Sequence, residues 1–101
     1  MKLFTINATS VRSVLSATEN RKRIREYPSA VGRVLSEFGI DGCTITKVSG
    51  YWGGTQEVSF KIEVATDESA TTIKRVCARL RDEFEQEAVM LTYPNNTAEL
   101  I

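Results

Sequence analysis

Residues 50–64, GYWGGTQEVSFKIEV, place two aromatics, Tyr51 and Trp52, before a double glycine and then set Glu57, Ser59, Lys61 and Glu63 at every second position. An indole, a carboxylate and a hydroxyl in one lining can stack on a planar ring and read its donors and acceptors. Glu57 is the residue to watch, because a carboxylate desolvated beside an indole can serve as an acid or a base. The competing reading makes it a cross-strand partner of Thr46 or Lys47 on a wet sheet. A second chemistry comes from the run RKRIR, residues 21–25. The forked guanidinium groups of Arg21, Arg23 and Arg25 match phosphate oxygens two at a time. Glu19 and Glu26 dilute that charge, and a solvated loop is the alternative use of the run.

Much other chemistry is excluded by residue type. There is no histidine, which removes Ser-His-Asp and Cys-His nucleophilic schemes, His-ligated zinc and imidazole proton shuttles. No glycine-rich loop follows a strand and opens a helix with the spacing of a dinucleotide or nucleoside-triphosphate cradle. Cys43 and Cys77 form no CxxC pair and fall on apolar segments, as reduced, buried thiols do. The acids have no metal-binding spacing, so no cofactor and no metal are expected. A cofactor-free carboxylate or tyrosine remains available for catalysis, such as Glu57 with Tyr27, Tyr51 or Tyr93.

Lys plus Arg equals Asp plus Glu at thirteen each, so no global field recruits nucleic acid or an anionic membrane. Nucleic acid is not an expected partner, since exposed sheet aromatics beside basic residues in an RRM pattern are missing. No apolar run approaches the roughly 20 residues of a membrane span, and the first ten residues lack the pattern of a signal peptide. A cytoplasmic protein is expected.

The elements that must position these residues follow from apolar periodicity. A chain of 101 residues, 42% hydrophobic and 26% charged, suits one α+β domain over 1–101. Residues 2–8 alternate as a strand. Val11, Val14 and Leu15 suggest a short helix within 9–27, behind a Thr9 or Ser10 cap. Pro28 suits the first turn of a separate helix, with Val31, Val34, Leu35 and Phe38 on one face and Gly39 as its C-cap. Residues 40–52 and 55–65 read as strands joined by a Gly53-Gly54 hairpin turn. Asp67 can cap a helix reaching about residue 85, with the stripe Ile73, Val76, Cys77, Leu80 and Phe84. Residues 88–93 form a last strand before a turn at 94–96. The order β-α-β-β-α-β predicts a ferredoxin-like plait, an antiparallel sheet with two helices on one face. In it Trp52 pairs with Thr55 and shares the helix-free face with Glu57, Ser59 and Lys61, unless a bulge turns the indole into the core. An open sheet face of that kind is commonly filled by self-association or by a ligand, so a homo-oligomer is expected.

The patterns Gly50-x-Trp52-x-Gly54, Glu57-x-Ser59 and Phe84-x-Gln86 resemble those of a family of small bacterial and phage proteins with no assigned activity; the resemblance spans residues 28–91. It implies a ferredoxin-like fold and groups Trp52, Glu57 and Gln86 as one constellation. On that basis the expected function is a non-catalytic, oligomeric, phage-encoded binding module with an anti-defence role. It would sequester a small nucleotide-like ligand or block a host protein, with Tyr51 and Trp52 on the base and Arg21, Arg23 and Arg25 on phosphates. Two alternatives stand beside it: a cofactor-free enzyme of the dimeric plait type with Glu57 as base, and a purely structural self-associating protein.

Overall fold

A computed structural model describes the backbone of residues 1–101 and every side chain except that of Trp52. In chain order the elements are β1 (Lys2–Ala8), α1 (Ala17–Glu37), β2 (Thr44–Trp52), β3 (Thr55–Thr66), α2 (Ala70–Glu83), β4 (Met90–Thr92) and β5 (Ala98–Leu100). The strands form one antiparallel sheet in the order β2-β3-β1-β4-β5, so the first four strands and both helices make the expected ferredoxin-like plait.

Strand alternation decides which face the helices cover. Phe4, Ile6 and Ala8 of β1 and Phe60, Ile62 and Val64 of β3 point to one side and are buried. Against them α1 lays Tyr27, Val31, Val34 and Leu35, and α2 lays Ile73, Val76, Cys77 and Leu80. Tyr27 is central, with its ring centroid 4.8 Å from that of Phe60 and 4.6 Å from that of Phe84. The opposite face stays open and carries the exposed Leu3, Met90 and Leu100.

The hairpin is formed as its glycines require. Gly53 and Gly54 take φ of 55° and 82°, the left-handed pair that lets a two-residue turn follow the strand twist. Trp52 therefore pairs with Thr55, Tyr51 with Gln56 and Gly50 with Glu57. The backbone register is the expected one, while the face taken by the Trp52 side chain lies outside the described residues.

Four expectations are corrected. There is no separate short helix after β1. Instead α1 is a single helix of 21 residues, opened by a capping box in which Ser16 and Glu19 satisfy each other's backbone N–H. Pro28 lies inside it at an exposed position. An internal proline costs about 3 kcal/mol, but the turns before it bury Tyr27 and half-bury Ile24, and burying one large side chain returns about 1.5–3 kcal/mol. Packing wins, so the basic run of residues 21–25 is helical rather than a loop. Second, β2 begins at Thr44, because residues 40–43 connect it to α1. Third, Ser69 rather than Asp67 caps α2, accepting from the Thr72 N–H at 3.2 Å, while Asp67 meets the N-terminal ammonium at 3.2 Å. Fourth, the tail after residue 96 returns as β5, held by paired bonds between Val89 and Ile101. Among the described residues no helix is long and apolar enough to cross a membrane.

Burial of two weak acids ties stability to alkaline pH. The Cys77 thiol is pushed up to about 12 by burial, and the Tyr27 phenol is raised by burial first and then by the charges of Cys77 and Glu83. The unfolded chain releases its thiol protons near the ordinary value of 9.0, where the folded chain still holds that of Cys77. The folded state then binds more protons, so this stability is full at neutral pH and is lost as pH rises from about 9 toward 12. Urea unfolding across that window should show the midpoint falling, and Cys77→Ala should flatten the early part of the fall.

Candidate functional site

The loop joining β1 to α1, residues 9–16, is held by side chains at the backbone of Ser10, Val11, Arg12 and Ser16. Thr9 Oγ1 donates to the Val58 carbonyl at 2.9 Å and accepts from the Val11 N–H at 3.3 Å. Asn20, one turn into α1, closes a reciprocal pair on Arg12: its Oδ1 accepts from the Arg12 N–H and its Nδ2 donates to the Arg12 carbonyl, each at 2.9 Å. Arg23 Nε donates to the Ser10 carbonyl at 2.6 Å, and Gln86 Nε2 donates to the Val11 carbonyl at 3.2 Å. A loop that cannot use a ladder satisfies its backbone from the elements it touches, and this one is thereby given a fixed shape.

Two recesses adjoin this loop and share Val11, Arg12 and Ser13. One, of about 420 Å³, is completed by Asn20 and by Thr55, Gln56 and Glu57 at the hairpin end of β3. The other, of about 460 Å³, is completed by Val14 and residues 85–88 after α2. Glu57 and Gln86 thus flank one loop from its two sides. Gln86 reaches its place because α2 ends in a tight reversal, with Phe84 as C-cap, Glu85 in the left-handed region at φ 56°, and the Gln86 N–H returning to the Arg81 carbonyl at 2.9 Å. A second bond from Gln86 Nε2 to the Phe84 carbonyl, at 3.0 Å, fixes the amide.

Glu57 is half-buried and faces Gly50 across the strands, whereas Thr46 pairs with Lys61 and Lys47 with Phe60. The cross-strand reading of Glu57 fails on that register. Among the described residues it makes no hydrogen bond and no ion pair. Ser59 lies two residues further along the same face, opposite Val48. Tyr51 pairs with Gln56, on the alternate face from Glu57, and is 69% exposed. Trp52 is placed by its backbone at the hairpin end, and its side chain lies outside the described residues.

The three arginines of the basic run do not converge. Arg21 and Arg25, four apart on α1, line a groove of about 670 Å³ with Lys47 over an apolar floor that includes Ile24, Ile45, Val58 and Phe60. Arg23 turns toward α2. There it donates to the carbonyls of Ser10 and Phe84, meets Glu85 at 3.3 Å and lies 5.5 Å over the Phe84 ring. Sequence patterns single out Glu57 and Gln86, but not Asn20, Arg12 or Glu85, whose contacts join residues far apart in the chain or lie off any apolar stripe. A polar residue directly after a Ser-x-x-Glu box, here Asn20, is the local sign of the clamp on the loop.

The chain matches the model of the S-Adenosylmethionine lyase family over residues 6–101, and it belongs to that family. Among solved structures it is similar to a phage SAM lyase in complex with S-methyl-5′-thioadenosine, at 15% identity and a TM-score of 0.71 over 98% of this chain and 87% of that one. It is also similar to a phage SAM lyase in the apo state, at 14% identity and a TM-score of 0.65 over 98% and 86% of the two chains. At these identities the likeness shows the shared fold. No curated protein matches the chain. Membership of a lyase family corrects two expectations: the resemblance to a family without assigned activity, and the non-catalytic binding module built upon it.

The clamp on the loop has a measurable worth. Asn20→Ala strands the Arg12 N–H without its partner, which should cost about 1–3 kcal/mol in urea unfolding and speed amide exchange at Arg12.

Proposed function

We propose that this chain cleaves S-adenosylmethionine to S-methyl-5′-thioadenosine at the end of the sheet where the β1–α1 loop meets the β2–β3 hairpin and the segment after α2. The observation that carries the reading is the family match, which runs over residues 6–101 and so includes all three segments. A lyase breaks the carbon–sulfur bond without adding water. The substrate can supply its own nucleophile: its carboxylate attacks the γ-carbon, a C–O bond forms, the C–S bond breaks, and the electron pair leaves on sulfur as a neutral thioether. The four-carbon fragment closes as a five-membered lactone. No proton changes hands in that step, so a chain without histidine has the groups it needs.

The protein's work is then to fold the substrate and keep water out. Opposite charges, sulfonium and carboxylate, cancel in this transition state, and a recess poorer in water than the bulk favours it. Holding the attacking oxygen near the carbon removes much of the entropic barrier. Glu57, without a partner among the described residues, pairs with the α-ammonium group and fixes the amino-acid end while the substrate carboxylate stays free to attack. Ser59 lies on the same face for a further hydrogen bond, and Tyr51, on the alternate face, has no part in this pocket. Gln86 holds Val11 and so shapes the wall between the recesses. S-adenosylmethionine carries no phosphate, and Arg21 and Arg25 have no part in this chemistry.

Depletion of S-adenosylmethionine inside an infected cell would starve enzymes that need it as cofactor or methyl donor. That accords with an anti-defence role in the host cytoplasm and with the phage origin of the similar lyases. Self-association across the open sheet face, with Leu3, Met90 and Leu100 exposed on it, belongs to the same reading.

The test is direct. Purified protein incubated with S-adenosylmethionine should release S-methyl-5′-thioadenosine, and product formed in ¹⁸O-labelled water should carry no label before the lactone opens. Glu57→Gln should lower kcat/KM about a hundredfold with an unchanged melting temperature. Absence of thioadenosine sinks the activity, and label in the initial product sinks the internal displacement.

A further inference from the structure

Glu85 stands where local preferences argue against a glutamate. It is the residue after the C-cap of α2, with φ at 56°, a left-handed position that glycine takes without steric cost. Its negative charge also sits at the negative end of the helix dipole. What offsets both is a pair of arginines from elsewhere in the chain. One carboxylate oxygen meets Arg12 Nη1 at 3.3 Å and the other meets Arg23 Nη1 at 3.3 Å. Arg23 is mostly buried, with a side chain 19% exposed, and spends its remaining donors on the carbonyls of Ser10 and Phe84. Arg12 is itself clamped through its backbone by Asn20. Neither arginine has another acidic partner among the described residues. Glu85 therefore joins the β1–α1 loop to the segment that carries Gln86, across the wall between the two recesses.

Strain kept at a position where a simpler residue would relax it is a mark of function. We propose that Glu85 is a positioning residue: by holding Arg12 and Arg23 it sets residues 10–12 against Gln86, and so gives the Glu57 recess its shape before substrate arrives. The proposal rests on the site assigned in the preceding section. Glu85 acts through the two arginines and not on the reacting atoms. Small misplacement of a substrate-holding loop is enough to slow an intramolecular reaction strongly.

Glu85→Gly separates this role from a structural one, because the two roles move stability and activity differently. Glycine relieves the left-handed backbone and removes the charge at the helix end, so the variant should melt at or above the wild-type temperature. Its kcat on S-adenosylmethionine should fall on the order of tenfold with a smaller change in KM. Amide exchange at Val11 and Arg12 should quicken while the amides of α2 stay protected. Glu85→Gln keeps the strained backbone and loses the charge; it should be as slow as Glu85→Gly and less stable. Full kcat in either variant, or activity lost only in proportion to a lowered melting temperature, overturns the proposal. A wild-type protein that releases no thioadenosine overturns the preceding reading instead, and exchange at Val11 and Arg12 then decides the positioning role: unchanged exchange in Glu85→Gly refutes it.

Discussion

The constraint on which the site depends is the need to satisfy the backbone of residues 9–13 after β1 leaves the sheet. These residues cannot pair with a neighbouring strand, and Ser10 is fully buried. Unpaired peptide groups in such a place are costly, and the side chain of Thr9 within the loop and those of Asn20, Arg23 and Gln86 from outside it take several of them up. Each bond also fixes a relation between elements. Thr9 ties the loop to β3, Asn20 and Arg23 tie it to α1, and Gln86 ties it to the chain after α2. Meeting a local requirement of the backbone thus brings the hairpin end, the start of α1 and the end of α2 together around one short segment.

That arrangement suits a reaction in which the substrate carries both nucleophile and leaving group. Where no proton must be shuttled, rate comes from conformation and from the exclusion of water, and these are properties of a shaped wall rather than of a set of acids and bases. The wall here is stiffened by reciprocal hydrogen bonds rather than by apolar packing. Glu57, a carboxylate without a partner among the described residues, lies where the wall meets the hairpin. The plait supplies little else at this end of the sheet, since its core is gathered around Tyr27, Phe60 and Phe84 beneath the helices.

What the sequence made legible was periodic or sterically forced. The double glycine could turn the chain in few ways, and the register from Trp52–Thr55 to Gly50–Glu57 followed from it. The stripe from Ile73 to Leu80 announced α2, and the alternation of β1 and β3 announced the sheet. Elsewhere two local signals compete. Pro28 looked like a helix start, yet Tyr27 and Ile24 before it belong to the same buried face as Val31 and Val34. Ser16 with Glu19 forms the true cap, while Val11, Val14 and Leu15 only imitate helical spacing within a turn. The strand β5 is short and exposed and has no apolar signature to read. The sequence patterns group Glu57 with Gln86 but carry no sign of the segment that unites them, because the contacts of Asn20 and Arg23 with the loop depend on where α1 begins.

The most direct measurement is a crystal structure of the protein with S-methyl-5′-thioadenosine. The ligand should lie against Val11, Arg12 and Ser13, with Glu57 on one side of the loop and Gln86 on the other. Density for it in the groove of Arg21, Arg25 and Lys47, with the recess at Glu57 holding only water, would contradict the assignment of the site.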